Sequence, residues 1–255
     1  MKIPDKFWDG HKYHLDKMSL RELVHAYFAY PAIQVYLLIG SISGTAALWW
    51  THSTIRTILA AVAAVLVYPL IWYLLHRFVL HGSFLYKMEW SAALWKRIHF
   101  DHHRDPHDLR VLFGSLVNTL PTIAIVTVPL GWAIGGVPCA AAALSAGLFT
   151  TCVYEFCHCI QHLAYQPKNA YLKKIKRLHL AHHFHNETGN FGITNFYWDR
   201  ILGTFYGDPR QVPKSATVFN LGYAQEAAHR WPFVARLTKD WEQSPHGRRR
   251  GGIGS

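Results

Sequence analysis

Three long apolar runs, separated by polar blocks, set the outline of this 255-residue chain. The first, PAIQVYLLIGSISGTAALWW (31–50), has no charged residue and ends in Trp49 and Trp50, which suit a membrane–water interface. The second, TILAAVAAVLVYPLIWYLL (57–75), carries Pro69 as a kink point or an opening for a neighbouring helix. From Leu112 to Ile160 a longer run is broken by Pro121, Pro129, Gly131, Gly135, Gly136 and Pro138. Its pattern predicts a helical hairpin with arms over 114–134 and 138–158. The expected fold is therefore an all-α integral membrane protein with about four transmembrane helices. None of the runs reads as a cleaved signal peptide, because the first 30 residues are rich in charge and lack a continuous apolar core. Within them, SLRE (19–22) reads as a capping box opening an amphipathic segment, LRELVHAYFAY, able to lie on the membrane surface.

Composition agrees with lipid contact. Apolar residues make up 51% of the chain and charged residues 16%, against about 25% charged in soluble domains. Four spans leave the N-terminus, the 76–111 segment and everything after about 163 on one side. That side carries every one of the 26 Lys and Arg except Arg56, which marks it as cytoplasmic. The net charge of +11 is then explained by basic loops against anionic lipid headgroups rather than by nucleic acid. The chain divides into an interfacial segment (1–30), a membrane domain (31–210) and a cytoplasmic tail (211–255) whose GRRRGGIGS end is expected to be disordered. Cys139, Cys152, Cys157 and Cys159 all fall in the last hairpin, a reducing, membrane-embedded setting in which a disulfide or zinc-finger role is not expected.

The polar blocks carry the candidate chemistry. Ten of the eighteen histidines form four groups: His76 and His81 (H-x4-H), His99, His102 and His103 (H-x2-H-H), His158 and His162 (H-x3-H), and His179, His182 and His183 (H-x2-H-H). On an α-helix, residues i and i+4 lie about 40° apart, so the H-x3-H and H-x2-H-H sets each share a face. Adjacent histidines diverge by about 100°, so each H-H pair can serve two neighbouring ions. The H-x4-H pair would lie about 140° apart on a straight helix, and fits best where a helix ends or bends. A helix over 54–81 would be about 42 Å long and one over 138–162 about 37 Å, against a hydrocarbon core of about 30 Å. Both overshoot the bilayer on one side, so all ten imidazoles can converge in a helical cap at the membrane surface.

Lone histidines are more often satisfied polar residues than ligands, and His11, His14, His25, His52, His107, His229 and His246 are read that way. His185 lies off the shared face of its cluster and is expected not to be a ligand. An all-imidazole set suits Fe, Zn, Cu or Ni rather than Mg or Ca, and ten ligands exceed one ion, so two metal ions is the economical count. A zinc protease of the H-E-x-x-H type is excluded at HCIQH (158–162), where Cys159 replaces the general-base Glu. A metal transporter would place its ligands near the bilayer midplane, not at helix ends.

In this ordered set of four histidine groups the chain resembles the fatty acid hydroxylase superfamily, which includes sterol desaturases, sterol methyl oxidases and carotenoid hydroxylases. HHRDPHDL (102–109) and FGITNFYWDRILGT (191–204) resemble elements of the fatty acid 2-hydroxylases. The chain lacks their double Pro after RVLF (110–113) and their H-P-G-G haem segment. The resemblance implies two iron ions held by the ten histidines, with zinc able to occupy the same imidazoles. It also implies O2-dependent hydroxylation of a lipid acyl chain at C2. Electrons would come from a separate cytochrome b5- or ferredoxin-like donor. Asp101, Glu155, Asn186 and Asp199 are near enough in sequence to accept hydrogen bonds from ligand N–H groups, and Phe191 and Ile193 are expected to shape the acyl entrance. The alternatives are a sterol or carotenoid hydroxylase or desaturase of the same superfamily, and a non-catalytic metal-binding or transport membrane protein.

Overall fold

The computed structural model describes residues 14–238 and 241; the GRRRGGIGS end and His11 and His246 lie outside them. The described residues are helical, with no strand and one isolated bridge between His14 and Asp108. Helix α1 (Leu20–Ala29) starts at the expected capping box. The Ser19 side chain accepts from the Glu22 N–H at 3.3 Å, and Glu22 accepts from the Ser19 N–H at 2.7 Å. It buries Leu23, Ala26 and Tyr27 and leaves Phe28 exposed. The Tyr27 hydroxyl donates to the Cys152 carbonyl at 2.5 Å, fastening α1 to the bundle.

By length and composition, three helices among the described residues can cross a membrane: Pro31–Trp50, Thr54–Lys87 and Leu109–His162. Helix α2 (Pro31–Trp50) coincides with the first expected span, with Pro31 in the first turn, where its missing N–H costs nothing. Helix α3 (Thr54–Leu74) runs through Pro69 as one helix and continues in a π-helical turn, Leu75–Leu80. The third apolar helix folds back on itself. Its backbone leaves helical geometry at Gly135 and Gly136, and Gly136 has φ +71°, a conformation that favours glycine. A Cβ at Gly131 would strike the Cys139 carbonyl, and one at Gly147 would meet Thr127 Cγ2 at 2.7 Å, so the two arms lie antiparallel in close contact.

Small residues permit these approaches, as is common between membrane helices. Gly40 and Gly44 of α2 face Leu148 and Ser145, and the Ser145 hydroxyl donates to the Gly40 carbonyl at 2.8 Å. Ala60 and Ala64 of α3 pack on Cys139 and Ala143. The second arm is thus sandwiched between α2 and α3. All four cysteines are free. Leu66 and Ile125 are 70% and 72% exposed on the outer faces, apolar surface that a lipid environment covers and water would not.

Short helices build a cap over one end of this bundle: α4 (Glu89–Trp95), α5 (Asp101–Arg104) and α6 (Leu109–Leu112) before the hairpin, here called α7 (Leu116–His162), then α8 (Ala170–Phe184), α9 (Tyr197–Ile201), α10 (Gln225–Arg230) and α11 (Phe233–Leu237). A second core of Tyr86, Trp95, Phe100, Tyr223 and Val234 holds the cap together. The segment after residue 210, expected as a tail, therefore packs into the cap through Leu221 and Tyr223. Trp95 ties cap to bundle by donating to the Leu80 carbonyl at 2.8 Å.

Candidate metal centre

The four histidine groups arrive from different elements and converge. His76 lies in the π turn ending α3, and His81 directly follows it. Here the backbone N–H of His81 bonds to the carbonyl of His76 at 3.1 Å, an i→i+5 bond that brings residue i+5 back over residue i. The bend that H-x4-H demanded is this π turn. A second π-helical stretch, Lys96–Phe100, carries His99 into α5, which holds His102 and His103. His158 and His162 end α7, and His179, His182 and His183 lie on the buried face of α8.

The side chains form overlapping groups in which the candidate ligand atoms all lie within 4.8 Å of one another. One contains His102, His158, His162, His179 and His183; another contains His76, His81, His99 and His103; His182 meets His103 and His183. The H-H pair of the second cluster is divided: His102 belongs to the first group and His103 to the other. Nine of these ten rings are buried, and His81 is half-buried.

Two observations fit these rings to metal ions. Nε2 atoms face one another at 2.9 Å (His162 and His179), 3.2 Å (His102 and His158) and 3.3 Å (His76 and His81). Two nitrogens each about 2.1 Å from one ion would be about 3.0–3.4 Å apart. In addition, Nε2 of His99, His103, His182 and His183 is buried without a hydrogen-bond partner, an arrangement that folded proteins avoid unless something else satisfies the group. Burial, reinforced for several rings by neighbouring histidines, holds His99, His102, His179, His182 and His183 well below the ordinary histidine range, and His103 at about 3. The rings are thus neutral at physiological pH, the form that binds a metal.

Backbone carbonyls, not the expected carboxylates, meet the outer nitrogens of three rings. Nδ1 of His76 lies 2.7 Å from the Phe191 carbonyl, Nδ1 of His103 2.8 Å from that of Val218, and Nδ1 of His182 2.7 Å from that of Gly189. The irregular loops around 186–196 and 212–221 have carbonyls outside any helix ladder and can supply these acceptors. Asp101 instead pairs with Lys96 at 2.6 Å. Asn186 accepts from Thr188 and donates to the Pro213 carbonyl. Asp199 acts at one remove: it accepts from the N–H groups of Phe191 and Gly192 at 2.8 and 2.9 Å, and so holds the peptide whose carbonyl faces His76. His185 stands outside every group, its Nε2 2.9 Å from the Val212 carbonyl. His107 lies against the His162 carbonyl and Phe184. A residue with no sequence signal, Lys176, buries its ammonium against the carbonyls of Ile160, Leu163 and Tyr165, binding the end of α7 to α8.

A cavity of about 430 Å3 opens from this centre. His76, His99, His102, His158, His179 and His183 line one end; Ala64, Ile71, Ile123 and Val126 line its walls between α3 and the first arm of α7. From His76 to Ala64 is about 18 Å along α3. Glu155, buried one turn before His158, also lines it and is held by a hydrogen bond from the Gly114 backbone. Gly114 directly follows RVLF, where the 2-hydroxylase double Pro is missing; a Pro there could not donate that bond. Ile193 lines the cavity as well. Phe191 does not: its ring packs edge-on against His76, His81 and His182, with centroids 5.1–5.6 Å away. Its expected place at an acyl entrance is thus corrected to a wall of the histidine cluster.

A fatty acid hydroxylase family model matches residues 61–204, more than half of the chain and all four histidine groups. The chain belongs to the fatty acid hydroxylase family. It is 32% identical to a dihydroceramide fatty acyl 2-hydroxylase of Arabidopsis thaliana, over 74% of this chain and 77% of the plant protein. It is 31% identical to the ceramide very long chain fatty acid hydroxylase of Saccharomyces cerevisiae over 59% of this chain, but spans only 38% of that relative's length. A solved structure described as full-length scs7p, with only its hydroxylase domain visible, aligns with a TM-score of 0.61 at 29% identity, over 74% of this chain and 69% of that one. Family membership supports an oxidoreductase that hydroxylates a lipid.

Proposed function

We propose that this family member is a membrane-embedded hydroxylase that uses two iron ions and O2 to place a hydroxyl group on C2 of a lipid acyl chain. The observation that carries this reading is the cavity: six of the ten converging histidines stand at one end, and apolar membrane-level helices enclose the other. The names of the plant and yeast relatives support the acyl chain as substrate. Iron, when bound, supplies the activation of O2, with R–H, O2, two electrons and two protons giving R–OH and water. The electrons come from a separate cytochrome b5- or ferredoxin-like carrier.

The chain's own residues bind, orient and exclude. Ten neutral imidazoles hold the two ions, and the carbonyls of Gly189, Phe191 and Val218 fix three rings with Nδ1–H outward and Nε2 inward. Walls such as Ile71, Ile123 and Val126 take the acyl tail out of water and keep bulk solvent from the reacting carbon. In this reading the two arms of α7 each cross the bilayer, making four crossings. The termini, cap and histidines then lie on the cytoplasmic side, where a soluble reductant meets them. Lipid analysis of a strain lacking the protein, and of the same strain complemented, tests the reading. Loss and return of 2-hydroxy acyl species is expected. Altered sterols or carotenoids with unchanged acyl chains would transfer the protein to that branch of the superfamily, and unchanged lipids with metal still bound would make it a metal-binding membrane protein.

A further inference from the structure

The family match ends at Thr204, yet a later segment reaches the metal centre. The Val218 carbonyl lies 2.8 Å from Nδ1 of His103. A carbonyl can only accept, so the ring donates there and keeps Nε2 for the cluster. Between the short turn Pro209–Gln211 and α10 this segment has no helix or strand, so its hold on His103 needs another support. The three residues that follow α8 provide it. The Ser215 N–H donates to the His185 carbonyl at 2.8 Å, Nε2 of His185 lies 2.9 Å from the Val212 carbonyl, and the Asn186 carboxamide donates to the Pro213 carbonyl at 2.8 Å. Glu187 is 4% exposed, and its Oε1 accepts from the hydroxyls of Ser215, at 2.9 Å, and Thr217. Its Oε2 is buried without a hydrogen-bond partner among the described residues. Taking a carboxyl out of water is unfavourable unless hydrogen bonds offset it, and the two hydroxyls that do so both belong to this one segment.

Resting on the two-ion reading above, we propose that Glu187 is a positioning residue of the metal centre: through Ser215 and Thr217 it clamps the segment whose Val218 carbonyl orients His103. Thr217 directly precedes Val218, so its anchored hydroxyl fixes the chain on one side of that residue. On the other side, the Thr217 carbonyl accepts from the N–H groups of Asn220 and Leu221 at 3.0 and 2.7 Å, closing a turn around Val218. The acceptor on His103 is thus held by Glu187 much as the acceptor on His76 is held by Asp199. His103 groups with His76, His81 and His99, and again with His182 and His183. Without its acceptor the ring can turn, or carry its proton on Nε2, and either change withdraws a ligand nitrogen. The group of His102, His158, His162, His179 and His183 does not contain it. One ion therefore depends on Glu187 far more than the other. Residues 212–218, beyond the family match, become part of the centre.

The test uses the purified full chain in detergent, loaded with Zn2+. It reads the retention of each ion against chelators of graded strength, and the amide hydrogen exchange of residues 212–218. Glu187→Leu should weaken one ion about 10–100-fold, leave the other within about threefold, and raise exchange in 212–218. Glu187→Gln keeps a carboxamide oxygen that accepts the same two hydroxyls, and should stay within about threefold of wild type at both ions. The double variant Ser215→Ala with Thr217→Val, which removes the two donors and leaves the carboxyl, should behave as Glu187→Leu does. Unchanged affinity in Glu187→Leu, equal weakening of both ions, or a Gln variant as damaged as the Leu variant would overturn the proposal. If Glu187→Leu does not fold, the double variant decides by the same ratios. A wild-type chain that holds a single ion would count against the two-ion reading; the clamp would then be decided by the Leu-to-Gln ratio for that ion.

Discussion

At the residue scale, the centre separates histidines that face the cluster from those that only neighbour it. His182 has Nδ1 against the Gly189 carbonyl and a buried, unpartnered Nε2, whereas His185 is bonded to the Val212 carbonyl, away from the cluster. His182→Ala should therefore empty at least one ion and abolish hydroxylation. His185→Asn should leave metal content near the wild-type value and lower activity several-fold at most, as read by elemental analysis and product assay on the same samples. If His185→Asn empties the site as fully as His182→Ala, the division fails. Asp199 tests the outer layer. It holds the Phe191 and Gly192 peptides, so Asp199→Ala should weaken metal binding about 10–100-fold in chelator competition, and an unchanged affinity would remove it from the support of His76. The spacing rule made the ten histidines legible from sequence, because i, i+3, i+4 patterns declare a shared helical face. It could not reveal the acceptors behind them: a carbonyl at Gly189, Phe191 or Val218 has no side-chain signature, which is why carboxylates were expected in their place.

Protonation follows from the same burial. In the unfolded chain these rings protonate near pH 6.5; in the fold, burial lowers that value, to about 3 for His103. Between those limits the unfolded chain binds more protons than the folded one, so stability is fully present above about pH 6.5 and declines as pH falls toward 3. Protons also compete with metal for the same nitrogens. Metal content after dialysis and the melting temperature should both fall between pH 7 and pH 4.5. Constant values across that interval would mean that the rings are not held neutral.

At the element scale, the π turn at Leu75–Leu80 is the feature that the H-x4-H spacing announced only as an end or a bend. An α-helix would set His76 and His81 about 140° apart, whereas the i→i+5 bond from His81 to the His76 carbonyl stacks them. A π turn accommodates one residue more than the α-helical turn it replaces. Deleting the half-exposed Phe78 leaves H-x3-H, which on a plain α-helix again shares a face about 40° wide. This deletion should keep most of the metal, while inserting one Ala after Phe78 should lose the ion bound by His76 and His81. Loss in both variants would show that the π turn itself, and not the shared face, is required. The hairpin of α7 was readable for a related reason: Gly135 and Gly136 interrupt an otherwise apolar run, and the fold breaks at those two residues. The packing of residues 212–223 into the cap was not readable, because contacts between distant loops leave no period in the sequence.

At the scale of the whole molecule, the observed ends of the chain and the histidines lie together. His14 pairs with Asp108, six residues after His102, and Val218 meets His103, so both ends of the described chain reach the cap. The ends of α3 and α7 arrive there as well, bearing His76 and His162. In the proposed topology the described ends lie on one side, which needs an even number of crossings and hence two by the folded-back α7. The side follows from the proposed orientation: every described Lys and Arg but Arg56 falls with the cap, and excess positive charge favours the cytoplasmic side. A reporter fused before Met1 and one fused after Ser255 should both read as cytoplasmic, and one inserted at His52, between α2 and α3, should read as external. The same protein, purified, should carry close to two metal ions per chain, because nine of the rings form one group of five and one of four, His182 meets a member of each, and ten ligands exceed one ion. Reporters on opposite sides would require an odd number of crossings and would separate the histidines of α3 from those of α7. That outcome would be incompatible with the Nε2 atoms of His102 and His158 facing each other at 3.2 Å across the cap, so the topology and the metal centre stand or fall together.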